Sequence, residues 1–175
     1  MKETVQEYIQ RIQAKIAGKN PMQVQGATAQ KIGKLIKGAS PAKLRKRPSP
    51  EKWSAAEIIA HLADAEIAVG WRMRSILGAP GTPIQAYDAD AWAAAGHYAK
   101  RDARKALETF RVMRETNLAL LKSLTAEQWK QFGMHSERGE ESIERIALMM
   151  AGHDINHTEQ VERLLKPKKK TSNTP

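Results

Sequence analysis

Three histidines hold the chemistry that this sequence offers: His61, and far downstream the pair His153 and His157. The later two are four residues apart. In a helix that spacing sends both rings from one face, with Cβ atoms about 5–6 Å apart. Two imidazoles so placed can share one small cation. His61 lies in a second helical segment and joins them only if the two helices pack together. Imidazole nitrogens suit zinc, nickel, iron(II) or copper and argue against magnesium or calcium. Three protein nitrogens without an obvious fourth leave a coordination position for water or substrate, as catalytic sites do.

The histidines fall on apolar stripes. Ile58, His61, Leu62, Ala65, Val69 and Met73 recur at i, i+3, i+4 spacing, as do Ile143, Ile146, Ala147, Met150, His153, His157, Val161 and Leu165. One such histidine alone reads as a satisfied core residue, but three on two inward faces read as a shared metal site. Carboxylates should orient the rings. Glu57 precedes His61 by four residues, Asp64 follows it by three, and Asp154 adjoins His153. Glu57 can instead close a capping box with Ser54, and Asp64 is either a surface acid or an inward base. Gly152, inside a strong helical pattern, costs about 1 kcal/mol relative to alanine and predicts close approach of a neighbouring helix. His97 and His135 sit in expected loops and read as surface residues, or either as a mobile group that approaches the site. The segment from His153 to His157 also resembles the zincin pattern H-E-x-x-H. Asp154 is one methylene too short for its glutamate, and little chain remains downstream for a third ligand.

The elements that position these residues are helical. The first helical region spans about residues 2–38 and is interrupted near Gly18–Pro21. A second helix starts at the N-cap Ser54 and stops at Gly78, Pro80, Gly81 and Pro83. A third runs from about Asp102 to Leu124, Thr125 and Gln128 open a short turn, and a fourth begins near Ser142. Gly133–Gly139 reads as a polar loop. About twenty residues link the second and third helices, with Tyr87, Trp92, His97 and Tyr98 among them. Such a link is long for a compact domain. Extended, it can reach back along a helix of about 36 Å, so the helices it joins can run parallel. The expected fold is all-α, four helices around one core.

At 175 residues the chain is expected to form one domain, residues 1–166, followed by a basic tail, 167–175, expected to be disordered. No segment is apolar enough to span a membrane. The start lacks the apolar core of a secretory signal, which makes the cytoplasm the expected location. There are no cysteines, which excludes disulfides, thiolate ligands and a cysteine nucleophile. The net charge is +10, and Lys166, Lys168, Lys169 and Lys170 supply four of those charges. Elsewhere acids and bases alternate along helices, and no nucleic-acid-binding motif accompanies them, so nucleic acid is not the expected partner. Arg72, Arg74, Arg101 and Arg104 suggest a basic surface.

The run WSAAEIIAHLADAE from Trp53 to Glu66, together with AGHDINHTEQ from Ala151 to Gln160, resembles the DinB-like superfamily. The lead-in RPSPEKWS, the arginine-bearing third helix and the segment HSERGE (residues 135–140) extend the likeness over about residues 22–166. The resemblance implies a four-helix bundle of up-down-down-up topology, and a divalent metal, often nickel or zinc, on His61, His153 and His157. It also implies a homodimer in many members. Implied activities are a low-molecular-weight-thiol S-transferase, a thiol-dependent isomerase or a metal-dependent hydrolase acting on a small molecule. Beside these stands a non-catalytic metal- or ligand-binding module in stress response. If the enzyme is a hydrolase, Asp64 or Glu57 is the expected proton acceptor.

Overall fold

The structure is a computed structural model and describes residues 3–166; the basic tail lies outside them. Four long helices form the body: α2 (Pro21–Ile36), α4 (Ala55–Gly78), α6 (Ala103–Ser123) and α8 (Ile143–Leu165). The first helical region is broken where expected, giving a separate α1 (Val5–Ile16). α1 buries Ile9, Ile12 and Ile16 and packs against α8. Short helices α3 (Pro41–Arg45), α5 (Ala89–Ala95) and α7 (Ala126–Lys130) fill the connections.

Local chemistry sets the ends of the long helices. Ser54 Oγ accepts the Glu57 amide, while Glu57 Oε2 accepts from the Ser54 amide at 2.9 Å, so the expected capping box closes. Ser142 caps α8 by accepting the Arg145 amide at 3.1 Å. Thr125 and Gln128 close another capping box, at the start of α7.

The core has two apolar halves. Ile32, Ile36, Ile59, Leu62, Phe110 and Val161 lie in one, and Met73, Ile76, Leu118, Leu121, Ile143 and Ile146 in the other. Between them, in chain position on each long helix, sit Thr28, Glu66, Arg114, Asn117 and Asp154, all buried. Arg114 donates to Asp154 at 2.5 and 2.9 Å and to Glu66 at 2.8 Å. Thr28 also donates to Asp154, and Asn117 to Glu66. One cation thus answers two carboxylates in the middle of the bundle. Without such pairing, burying these charges would be costly.

One expectation needs correcting. The segment Gly133–Gly139 is not a polar loop. It forms most of a hairpin, β2 (Phe132–His135) and β3 (Gly139–Ser142), paired antiparallel. β1 (Pro83–Ile84) lies parallel on β2, which completes a three-stranded sheet. Gly133 permits this: a Cβ there would stand 2.6 Å from Ile84 Cδ1. Strands of two to four residues are too short to show the alternation that marks a strand in sequence.

The long link lies where expected, between α4 and α6. It is structured, carrying β1, α5 and a 3-10 turn at Tyr98–Lys100. It returns to the middle of α4, where the Tyr98 hydroxyl donates to Asp64 at 2.7 Å and Arg101 pairs with the same carboxylate at 2.8 Å. Among the described residues no helix is long and apolar enough to cross a membrane.

Candidate metal centre

His61 leaves α4 and His153 and His157 leave α8, and all three are buried. The Nε2 atoms of His61 and His153 are 3.0 Å apart, and one donor nitrogen from each ring lies within 4.8 Å of the others. The ring centroids of His153 and His157 are 4.3 Å apart and those of His61 and His157 5.0 Å. Tetrahedral zinc with bonds of about 2.0–2.1 Å holds its nitrogens about 3.3 Å apart, so the trio fits an ion with small adjustments.

The electrostatics agree. Burial, then the neighbouring His157, depress His61 to about 3; burial lowers His157 to about 4 and drives His153 well below the ordinary range. All three rings are neutral near pH 7 and keep a lone pair for a cation. His157 Nδ1 faces Gln160 Oε1 at 2.7 Å. Because a carbonyl oxygen only accepts, that proton sits on Nδ1 and leaves Nε2 as the donor atom toward a metal. His153 Nδ1 is buried without a hydrogen-bond partner among the described residues. Trp53 tilts against the His61 ring with centroids 5.0 Å apart.

Gly152 has the reason expected of it. A Cβ there would fall 2.3 Å from the backbone oxygen of Ile12, so α1 lies directly on α8 beside His153. The histidines lie along a cleft of about 460 Å³. Ala65 and Val69 of α4 and Ile146 and Met150 of α8 give it apolar walls, and Tyr8, Arg72, Tyr87 and His135 also line it.

The carboxylates nearest in sequence are occupied elsewhere. Both Glu57 oxygens bind the Ser54 cap or the Arg47 guanidinium. Those contacts outweigh burial and hold Glu57 below the usual carboxylate range. Asp64 accepts from Tyr98 and Arg101. Neither residue lines the histidine cleft. Asp154, next to His153, turns into the Arg114 network.

The four arginines do not share one surface: Arg74 binds Gly70 O and Asn117, Arg101 binds Asp64, Arg104 binds Ala39 O, and Arg72 is buried at the cleft. His97 is exposed as expected, whereas His135 is buried in β2. Arg114 and Glu66 escaped the sequence reading. Glu66 lies at i+4 from Leu62, and a charge so close to an apolar stripe was the available signal.

The fold and the site define a mostly helical bundle with a buried histidine trio suited to a metal. The family model of the DinB superfamily matches residues 26–161, and the chain belongs to that superfamily. Among solved structures it is similar to YfiT from Bacillus subtilis, described as "a probable metal-dependent hydrolase with an unusual four-helix bundle topology". The two share 22% identity with a TM-score of 0.73, over 82% of this chain and 84% of that one. No curated protein matches.

Proposed function

We propose that this protein is a cytoplasmic, metal-dependent enzyme of small molecules that transfers a low-molecular-weight thiol to an electrophile, with nickel or zinc held by His61, His153 and His157. The observation that carries the reading is the set of three neutral, buried imidazoles on the wall of an apolar cleft. A divalent cation there supplies Lewis acidity, lowering the pKa of a thiol or water or polarising a carbonyl. Gln160 orients His157, and Trp53 backs His61. Asp64 and Glu57 are spent on Tyr98, Arg101, Arg47 and the Ser54 cap, which leaves neither poised to take a proton. That favours a thiol, which needs the smaller pKa shift to become a nucleophile.

Hydrolysis is the second reading, favoured by the description of YfiT as a probable metal-dependent hydrolase. The proposal includes the up-down-down-up helix order, supported by the return of the long link to Asp64. It includes a homodimer, for which exposed Ile67 and Trp71, one turn apart on α4, offer an apolar patch.

Elemental analysis of protein purified without a metal-affinity tag tests the site. One ion per chain in the wild type and none in His157→Ala is expected; no metal in either defeats the proposal. Metal-loaded protein offered cysteine, glutathione or coenzyme A with a bromobimane electrophile tests the reaction. Turnover of an ester without any thiol selects the hydrolase, and inactivity in both assays leaves a binding module.

A further inference from the structure

Arg72 lies in the second half of α4 and is only 7% exposed. Among the described residues no carboxylate comes within 4 Å of its guanidinium; its one hydrogen bond runs from Nη2 to the Gln85 carbonyl at 2.7 Å. It rests over the Tyr87 ring, 5.4 Å from the centroid. Guanidinium has five N–H donors, so most of its capacity is unused. The other buried arginine, Arg114, has two carboxylates. A buried cation without a counter-ion is costly, and Arg72 borders the same cleft as the histidines.

Around it stand Arg138 and His135. Three acids line the cleft: Glu141 is paired with Arg138 at 2.7 and 2.8 Å, Glu3 with Arg11 at 2.7 and 2.9 Å, and Glu137 is exposed. His135 Nδ1 accepts the Glu137 amide at 3.2 Å, so its proton is on Nε2, which is buried without a partner. Nε2 of His135 is thus a polar atom at this end of the cleft without a partner among the described residues.

Arg72 follows His61 by eleven residues, about three helical turns, which returns it to the same face of α4 about 16 Å further along the axis. Ala65 and Val69 lie between them on that face, and Ile146 and Met150 face the cleft from α8. The cleft therefore has imidazoles at one end, an apolar middle and, at the other, a guanidinium with no carboxylate in direct contact among the described residues.

We propose that Arg72 is the specificity-determining residue of this cleft and binds the carboxylate of an elongated, monoanionic substrate whose apolar chain lies along Ala65, Val69 and Met150. The reacting end of that substrate then faces the histidines. This assignment rests on the reading of the cleft as a substrate site, but its test requires no metal.

The probes are octanoate and its neutral isostere octanamide, titrated calorimetrically into metal-free wild-type protein and Arg72→Met. Octanoate should bind the wild type about tenfold or more tightly than octanamide, and Arg72→Met should erase that ratio. Equal binding of the two probes by the wild type overturns the assignment, as does a preference that survives in Arg72→Met. If Arg72→Met does not fold, isotope-filtered NMR on the wild type decides: contacts from the octanoate chain to Val69 and Met150 methyls support the assignment, and their absence overturns it. Metal stoichiometry of the wild type is measured separately, so a missing metal and a missing anion site give different results.

Discussion

His157 Nδ1 donates to Gln160 Oε1 across 2.7 Å, one helical turn along α8. The bond fixes which nitrogen carries the proton and holds the ring plane, whereas His153 Nδ1 has no such support among the described residues. Loss of a partner of this kind typically weakens metal affinity about 10–100-fold. Gln160→Met should lower zinc affinity by that order while leaving urea stability of the metal-free chain unchanged. A chelator competition assay measures the first effect, and unaltered affinity would show that packing alone orients His157.

The pH dependence of the metal-free chain has a definite sign. In the folded state His61 titrates at about 3 and His157 at about 4, against about 6.5 in an unfolded chain. Below the unfolded value, the unfolded state binds protons that the folded state refuses, and the equilibrium shifts toward unfolding. Their contribution should be constant above about pH 7 and become progressively destabilising from about pH 6.5 toward 4. The double variant His61→Ala, His157→Ala should show a shallower loss of Tm over that window. An identical slope in the variant would remove these rings as the cause.

Gly152→Ala sets two effects against each other. Helix propensity favours alanine by about 1 kcal/mol, but its Cβ would meet the Ile12 carbonyl at 2.3 Å. Backbone cannot yield as a flexible side chain can, so the clash should win. The expected result is a net loss of about 1–3 kcal/mol in urea unfolding, in the range of overpacked cores. Weaker metal binding should accompany it, because α1 can relieve the contact only by shifting on α8 beside His153.

Arg114→Met would leave Asp154 and Glu66 buried without their cation. Breaking a buried pair on one side costs about 3–5 kcal/mol, and denaturant unfolding should register a loss of that size. Adding Asp154→Asn and Glu66→Gln to the same chain should restore part of it. If the triple variant is no more stable than Arg114→Met, stranded charge is not the source of the loss.

The histidine trio was more legible in the sequence than its surroundings. His61, His153 and His157 stood on apolar stripes of strong helices, and helical periodicity alone brought His153 and His157 to one face. The caps at Ser54 and Thr125 were visible for the same reason, since a cap is a local contact. What escaped depends on contacts between distant segments. Gly133 looked like a loop residue, yet it allows β2 to lie against Ile84. His135 looked exposed because its strand is four residues long. Asp64 looked free to act as a base because nothing near it in the chain indicates that Tyr98 and Arg101 return to bind it.

The layer of Thr28, Glu66, Arg114, Asn117 and Asp154 between the two apolar halves acts as a key in a lock. Leucines and isoleucines tolerate a helix sliding past its neighbour by one turn, about 5.4 Å, because one apolar contact replaces another. Arg114 does not: a one-turn slip of α6 would carry its guanidinium away from both acids and into hydrocarbon. Of the alignments that greasy surfaces alone would allow, only one keeps every charge answered. In that same alignment α4 and α8 bring His61 to within 3.0 Å of His153, so ionic matching at the centre of the bundle calibrates the spacing of the imidazoles beside it.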